Sequence, residues 1–307
     1  MHYNKRMAKV ERPPIAHPLI LKAAASPQRL LFCAASFFVR LLFGSGTLSV
    51  MTDEIAPAEI AQLEGFISVQ AALQGGHRAV HGIQLRSGKE DSQTRHLTQT
   101  ARKRGIPLIR VSADEIERLA GGKTHGGVLA QVGPYQFAPM DSLTASTTPF
   151  VAMIDGVEDP FNFGSSVRAL YAAGADGLVV RPRNWLSAAG IVARASAGTS
   201  ELIPTAIAET ASDAAEFFRA CGLSIACATD EPGSISVYDA DLTRPLFLLI
   251  GGEKRGITRS FLDRADLKLR IPYGRPLPHS LGTASAAAIL AFEIMRQRRN
   301  LTPLPGP

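Results

Sequence analysis

The sequence predicts an α/β protein: a mostly parallel sheet covered by helices in the C-terminal half, preceded by a smaller α/β unit. Three observations predict it. Beyond residue 150, short apolar runs alternate with helix-patterned segments. The runs are continuously apolar, as strands covered on both faces are. The Pro/Ser/Thr-rich stretch APMDSLTASTTP, residues 138–149, marks a linker between that half and the part before it.

Residues 60–137 make up the smaller unit. EGFISVQAALQGG has helical spacing and a Gly-Gly stop, and AVHGIQLRSG reads as a strand closed by a turn. TRHLTQTARKRGIPLIRVS follows as a helix, then Gly-Ile-Pro leading into a strand. SADEIERLAGG carries the Ser-x-x-Glu pattern of a capping box, with Ser112 as N-cap and Glu115 three residues on.

The larger unit, 150–300, follows in the same way. FVAMIDGV, DGLVV, LSIACATD, PLFLLIGG and LKLRIP read as strands. GSSVRALYAAGA, SAAGIVARASAG, DAAEFFRACG and the Ala-rich segment to Arg298 read as helices. In such sheets ligands sit at the carboxyl ends of the strands, so the informative residues should follow each apolar run.

Composition excludes more than it assigns. The formal charge is +6, which invites a nucleic-acid reading. Residues 1–50, however, hold seven of the 33 basic residues and only one of the 27 acidic ones, so 51–307 carries 26 of each. Only local patches can then argue for RNA. Between 86 and 123 lie nine basic and five acidic residues, among them Arg86, Lys89, Arg102, Lys103 and Arg104. They form either a solvated helix face or a phosphate-contacting patch.

Cys33, Cys221 and Cys227 have no CxxC or metal spacing, which suits a reduced compartment. His77 and His81 lack a third ligand nearby, so no metal is expected. The leader, 1–50, is basic, and its apolar run RLLFCAASFFVRLLFG falls short of the ~20 residues that span a bilayer. It reads as a mis-set start upstream of Met51, a transit peptide or a weak signal sequence. A cytoplasmic protein is expected, or a mitochondrial or plastid one if the leader is a transit peptide.

Three loops end strands in the larger unit. After VAMID comes GVEDPFNFGSSVRAL, in which Pro160, Asn162 and Gly164 precede a helix whose first turn carries Ser165 and Ser166, with Arg168 one turn inside. Asn162 can donate and accept hydrogen bonds, and Arg168 offers a permanently charged fork for phosphate or a developing oxyanion. After LFLLI comes GGEKRG, where Gly251 and Gly252 would let a ligand lie against the backbone and Glu253 supplies a carboxylate. No GK[ST] ending makes it a P-loop, and no GxGxxG follows the first strand. After LKLR comes IPYGRPLPHSLGTASAAAILAFEIMRQR, a proline-shaped loop opening the last helix.

In this order and spacing, the loops resemble the three signature motifs of the SpoU (TrmH-type) RNA 2'-O-ribose methyltransferases of the SPOUT superfamily. DPFNFGSSVRA resembles the first motif, LLIGGEKRGI the second and IPYGRPLPHSLGTA with its helix the third. Residues 60–137, ending THGGVLAQV, are similar to the L30e-like RNA-binding domain of ribosomal-RNA-directed members. The resemblance implies an α/β-knot, a C-terminal trefoil in a field of unknotted folds. It also implies a homodimer, bound S-adenosylmethionine and an RNA substrate, ribosomal RNA before transfer RNA. By position, Gly251, Gly252, Ile271, Leu281 and Gly282 would lie against the cofactor, and Arg168, Asn162, Glu253 and Ser280 would form the catalytic surface. One position departs from the motif: where the family has Ser-Leu-Asn, this chain has Ser-Leu-Gly, with Gly282 in the Asn position. Altered substrate choice and a non-catalytic RNA-binding protein are the alternatives that this opens.

Overall fold

The computed structural model describes residues 60–182, 188–252 and 256–299. The leader, Met51 and Glu253 lie outside the described residues.

The N-terminal unit is a four-stranded sheet in the order β1-β4-β2-β3. Its elements run β1 (Ala61–Glu64), α1 (Phe66–Gly75), β2 (Val80–Arg86), α2 (Ser92–Lys103), β3 (Leu108–Val111), α3 (Ala113–Leu119) and β4 (Val128–Val132). β4 is antiparallel to both neighbours, while β2 and β3 are parallel. The Gly-Gly stop and the Ser112 cap act as read, and Asp91 adds a cap that the sequence reading did not name. Gly76, in the left-handed region at φ 70°, closes α1. Asp91 caps α2 by accepting from the Thr94 amide at 2.8 Å, and Ser112 caps α3 by accepting from that of Glu115 at 3.2 Å. The capping box is only half made, because the Glu115 carboxylate pairs forward with Arg118 at 2.6 Å.

The C-terminal unit begins with β5 (Phe150–Asp155), α4 (Pro160–Ala172), β6 (Gly177–Val180), α5 (Ala189–Ala195), β7 (Thr205–Ile207) and α6 (Ala211–Ala220). It continues with β8 (Ser224–Ala228), β9 (Ile235–Ser236), β10 (Leu246–Gly251), α7 (Arg259–Leu262), β11 (Leu267–Arg270) and α8 (Thr283–Arg299). Seven strands pair in the order β7-β6-β5-β10-β8-β11-β9. Each of these pairings is parallel. β10 is intercalated between β5 and β8, and β11 between β8 and β9, an order compatible with a threaded chain.

Alternation along buried strands builds two cores. Phe150, Ala152 and Ile154 of β5 join Leu246, Leu248 and Ile250 of β10 beneath α4 and α8, with Val167, Leu170 and Leu290. Val151 and Met153 turn the other way and join Phe247, Leu249 and Phe218 under α6. Burying each such large side chain contributes about 1.5–3 kcal/mol.

Residues 138–149 are not an open tether. Met140–Thr144 form a 3-10 turn whose Leu143 is buried against β6. A Cβ at Gly177 would lie 2.6 Å from the Leu143 side chain, so glycine makes that seat.

The two units share a packed junction. Ala189 and Ala193 of α5 belong to the core of the N-terminal unit. Backbones meet there at glycines: a Cβ at Gly75 would fall 1.7 Å from the Glu201 carbonyl oxygen, and one at Gly190 2.6 Å from that of Gln62. Arg78 donates to Glu201 at 2.9 Å, with side chains 5% and 2% exposed, and to the Gly133 carbonyl at 3.1 Å. Arg194 pairs with Glu64. Tyr135 completes the junction, with its ring 5.2 Å from the Arg78 guanidinium and its hydroxyl donating to the Ile203 carbonyl at 2.9 Å. Burial pushes the Tyr135 phenol up to about 12.

Candidate active site

The three sequence loops fall on the carboxyl edge of the parallel sheet, where ligands of such sheets bind. β5 and β10 are neighbours in register, Gly251 opposite Asp155. β11 lies beyond β8, so its end stands two strand spacings, about 10 Å, from the end of β10.

The first loop turns at Gly156, φ 77°, and enters α4 through Asp159 and Pro160. Asp159 accepts from the Asn162 amide at 2.8 Å, and proline at the first helical position forgoes a donor that had no partner there. The Asn162 carbonyl accepts from the Ser166 hydroxyl at 2.8 Å. Its carboxamide is left without a partner among the described residues. Arg168, two turns into α4, is exposed and makes no ion pair among the described residues.

In the second loop, the space that Gly251 and Gly252 leave is taken up by the chain itself. Gly252 donates its amide to the Asp155 carbonyl at 2.7 Å, and a Cβ there would lie 2.1 Å from the Gly156 carbonyl oxygen. A Cβ at Gly251 would come within 2.9 Å of the backbone of Gly256 and the side chain of Ile257. The glycines let the two loops cross closely.

The third loop leaves β11 at Ile271. This residue is half-buried, and its N–H and carbonyl form no backbone hydrogen bond among the described residues. Tyr273 folds back so that its hydroxyl accepts from the Leu281 amide at 3.1 Å. Ser280 and Gly282 are exposed. Gly282 sits at the N-cap of α8, its carbonyl accepting from the Ser285 amide at 2.9 Å and the Ala286 amide at 3.1 Å. An asparagine at this position would add a side-chain cap, a role that glycine leaves open.

Sequence reasoning missed two groups on this edge. Asp155 and Arg181, at the ends of β5 and β6, form a two-pronged pair at 2.8 and 2.9 Å; an arginine directly after LVV was the available signal. Tyr273 gave none, since its partner depends on how the loop folds.

The five basic residues singled out in the N-terminal unit fall at the two ends of α2. Arg86 and Lys89 precede α2, whereas Arg102, Lys103 and Arg104 close it, about 18 Å away along its axis. Lys89 is held by Asp91 at 2.5 Å, which keeps that carboxyl well below its usual range together with the Thr94 amide. Arg104 donates to the Leu73 carbonyl and clips α1 to α2. Among the described residues no group of three or more His, Cys, Asp and Glu could hold a metal ion. No helix among them is long and apolar enough to cross a membrane.

A parallel sheet with crossed glycine loops, an exposed arginine without an ion pair among the described residues and a half-buried stretch of backbone after β11 makes this edge, by class, the ligand-binding edge of an α/β fold. Comparison with known proteins gives the family. Residues 149–292 match the model of the SpoU rRNA Methylase family. Residues 62–138 match the RNA 2'-O ribose methyltransferase substrate binding model. The chain belongs to the SpoU rRNA methylase family. An uncharacterized tRNA/rRNA methyltransferase of Synechocystis is 32% identical over 254 residues, 81% of this chain and 65% of that protein. A Bacillus subtilis protein assigned to the TrmH family of tRNA/rRNA methyltransferases is 29% identical over 72% of this chain and 90% of its own length. Among solved structures, the SpoU methyltransferase AviRb of Streptomyces viridochromogenes, in complex with AdoMet, superposes with a TM-score of 0.66. The two are 26% identical, over 79% of this chain and 92% of AviRb.

Proposed function

We propose that this chain methylates the 2'-hydroxyl of a ribose in RNA, in ribosomal RNA rather than transfer RNA, and works as a cytoplasmic homodimer. The observation that carries the reading is the half-buried Ile271 backbone, whose N–H and carbonyl are unpaired among the described residues, on the same sheet edge as the glycine loop. A heteroaromatic base such as adenine carries acceptors and an amine donor on one edge, and those backbone groups complement it. Ile271 and Leu281 would hold that ring, with Gly251, Gly252 and Gly282 lining the approach. S-adenosylmethionine bound there supplies an electrophilic methyl group carried on a sulfonium.

The chain's residues then have to present a nucleophile. A ribose hydroxyl is weakly nucleophilic at neutral pH and needs its developing negative charge stabilised. A guanidinium is permanently charged and a poor base, so Arg168 orients the hydroxyl and stabilises the forming alkoxide. Asn162 positions the ribose through its carboxamide, and Ser280 holds a hydrogen bond at the entrance of α8. Glu253, which lies outside the described residues, would receive the proton. Holding the hydroxyl in line converts a bimolecular encounter into an oriented one, the larger part of the acceleration asked of such a site.

The dimer reading rests on exposed apolar side chains of α4 and α8: Phe161, 57% exposed, Tyr171 and Phe292. The ribosomal preference rests on the N-terminal unit. Mapping ribose methylation in RNA from cells with and without the gene tests the function. Loss of one ribosomal 2'-O-methyl mark is the expected result. A lost transfer-RNA mark would overturn the substrate, and no lost mark in either RNA would favour a non-catalytic RNA-binding protein.

A further inference from the structure

A second anion site lies away from the sheet edge, in the cleft where the N-terminal unit meets α5. The cleft has a volume of about 380 Å³ and is lined by Gly65, Ile67, Ser68, Lys89, His125 and Arg194 among others. At its floor α1 begins. Gly65 gives this ten-residue helix no side-chain cap, and its first turn carries no acidic residue. The amides of Phe66, Ile67 and Ser68 donate no backbone hydrogen bond outside the helix; the first bond to Gly65 comes from Val69 at 3.1 Å. The positive end of the helix dipole therefore opens into the cleft.

A second, independent feature points to a ligand. Ser68 is only 3% exposed, lines this cleft, and its hydroxyl has no hydrogen-bond partner among the described residues. Side chains on a helix tilt towards its N-terminus, which aims this hydroxyl at the same space as the free amides. A buried unpaired hydroxyl is costly, and nearly all such groups in folded proteins are satisfied. The nearest carboxylate, Glu64, is already engaged by the Gly121 amide at 2.6 Å, by the Gln62 side chain at 3.3 Å and by Arg194. Lys89 and Arg194, one from each unit, line the walls, each paired with a carboxylate, Asp91 and Glu64.

We propose that this cleft binds one phosphodiester of the RNA backbone, through the Phe66, Ile67 and Ser68 amides and the Ser68 hydroxyl. The proposal rests on the RNA-substrate reading above. The site would fix the RNA at the seam between the units, so that the register of the substrate is set at the junction that holds the sheet edge in place. Phosphate contacts of this kind position a nucleic acid without reading its sequence.

The test uses the full chain, ribosomal RNA fragments, and two variants. Ser68→Ala removes the hydroxyl donor, and RNA Kd should rise about fivefold. Ile67→Asp places a carboxylate in the first turn, which favours the helix but repels phosphate. Its RNA Kd should rise about tenfold or more, and the slope of log K against log salt should shrink by about 0.7, the share of one single-strand phosphate. Unchanged melting temperature in Ile67→Asp separates lost binding from unfolding. RNA binding by the wild type with both variants within twofold of it overturns this site alone. A wild type that binds no RNA overturns the substrate reading as well. Stabilisation by inorganic phosphate that is lost in both variants, with RNA Kd unmoved, overturns the RNA assignment in favour of a free phosphate.

Discussion

Gly252 donates its amide to the carbonyl of Asp155 at 2.7 Å, with no room for a side chain against the following residue, Gly156. The end of β10 is thereby locked to the end of β5. The lock predicts a stability phenotype for what reads as a ligand loop. In Gly252→Ala the new methyl would stand 2.1 Å from a backbone oxygen, so the two loops must part. Overpacking of this sort costs about 1–3 kcal/mol. Urea denaturation should show the loss without cofactor present. A variant of wild-type stability that fails only to bind S-adenosylmethionine would mean that the glycine serves the ligand instead.

Arg168→Ala should behave in the opposite way. The guanidinium is exposed and unpaired among the described residues, so stability should stay within about 0.5 kcal/mol. Methyl transfer should fall by about a hundredfold or more, as when a group stabilising transition-state charge is removed. Binding of S-adenosylmethionine, read by calorimetry, should change less than threefold. Turnover within a few-fold of wild type would remove Arg168 from the mechanism.

Gly282→Asn tests the departure from the family motif. The residue caps α8 with its carbonyl alone, and an Asn side chain can add a hydrogen bond worth a few tenths of a kcal/mol over glycine. A slightly higher melting temperature and turnover within about threefold of wild type are expected, because Asn162, Arg168 and Ser280 supply the polar surface. A gain of two orders of magnitude would show that the native chain lacks a catalytic group.

The sequence made the sheet legible because the strands that build it, FVAMID and LFLLIG, are apolar at nearly every position and end at loop signals. The start of α4 was less legible: the sequence places it after Gly164, whereas Asp159 caps the helix and Pro160 opens it. The junction was not legible. Gly75 reads as a helix stop, and only the fold shows that it also admits the Glu201 carbonyl from 126 residues away. Arg104 reads as one of a basic run, yet its donation to the Leu73 carbonyl makes it a helix clip. Sequence carries local propensity and periodicity; contacts between distant residues arise only once the backbone is placed. The same limit explains the site: the motif residues were visible, while the crossing that makes Gly251 and Gly252 necessary was not.

Arg78 and Glu201 give the last prediction. Removing one partner from a buried ion pair leaves an uncompensated charge and costs about 3–5 kcal/mol, so Arg78→Met should be strongly destabilised at neutral pH. Burial already pushes the Glu201 carboxyl up, and Arg78 is the group that pulls it back. Without Arg78 its folded-state pKa stands further above the unfolded value of about 4.3. A carboxyl raised in this way binds more protons folded than unfolded, so acid favours the folded state. The Arg78→Met variant should therefore regain stability as pH falls from neutral towards that unfolded value, and lose it as pH rises through the folded pKa. Arg78→Met with Glu201→Gln should be more stable than the single variant at neutral pH and lose most of that extra acid dependence. Urea titrations of the three proteins between pH 5 and about 8 would read this directly. A single variant whose stability relative to wild type does not move with pH would mean that Glu201 is neutral in the native chain and the pair is held by a hydrogen bond alone.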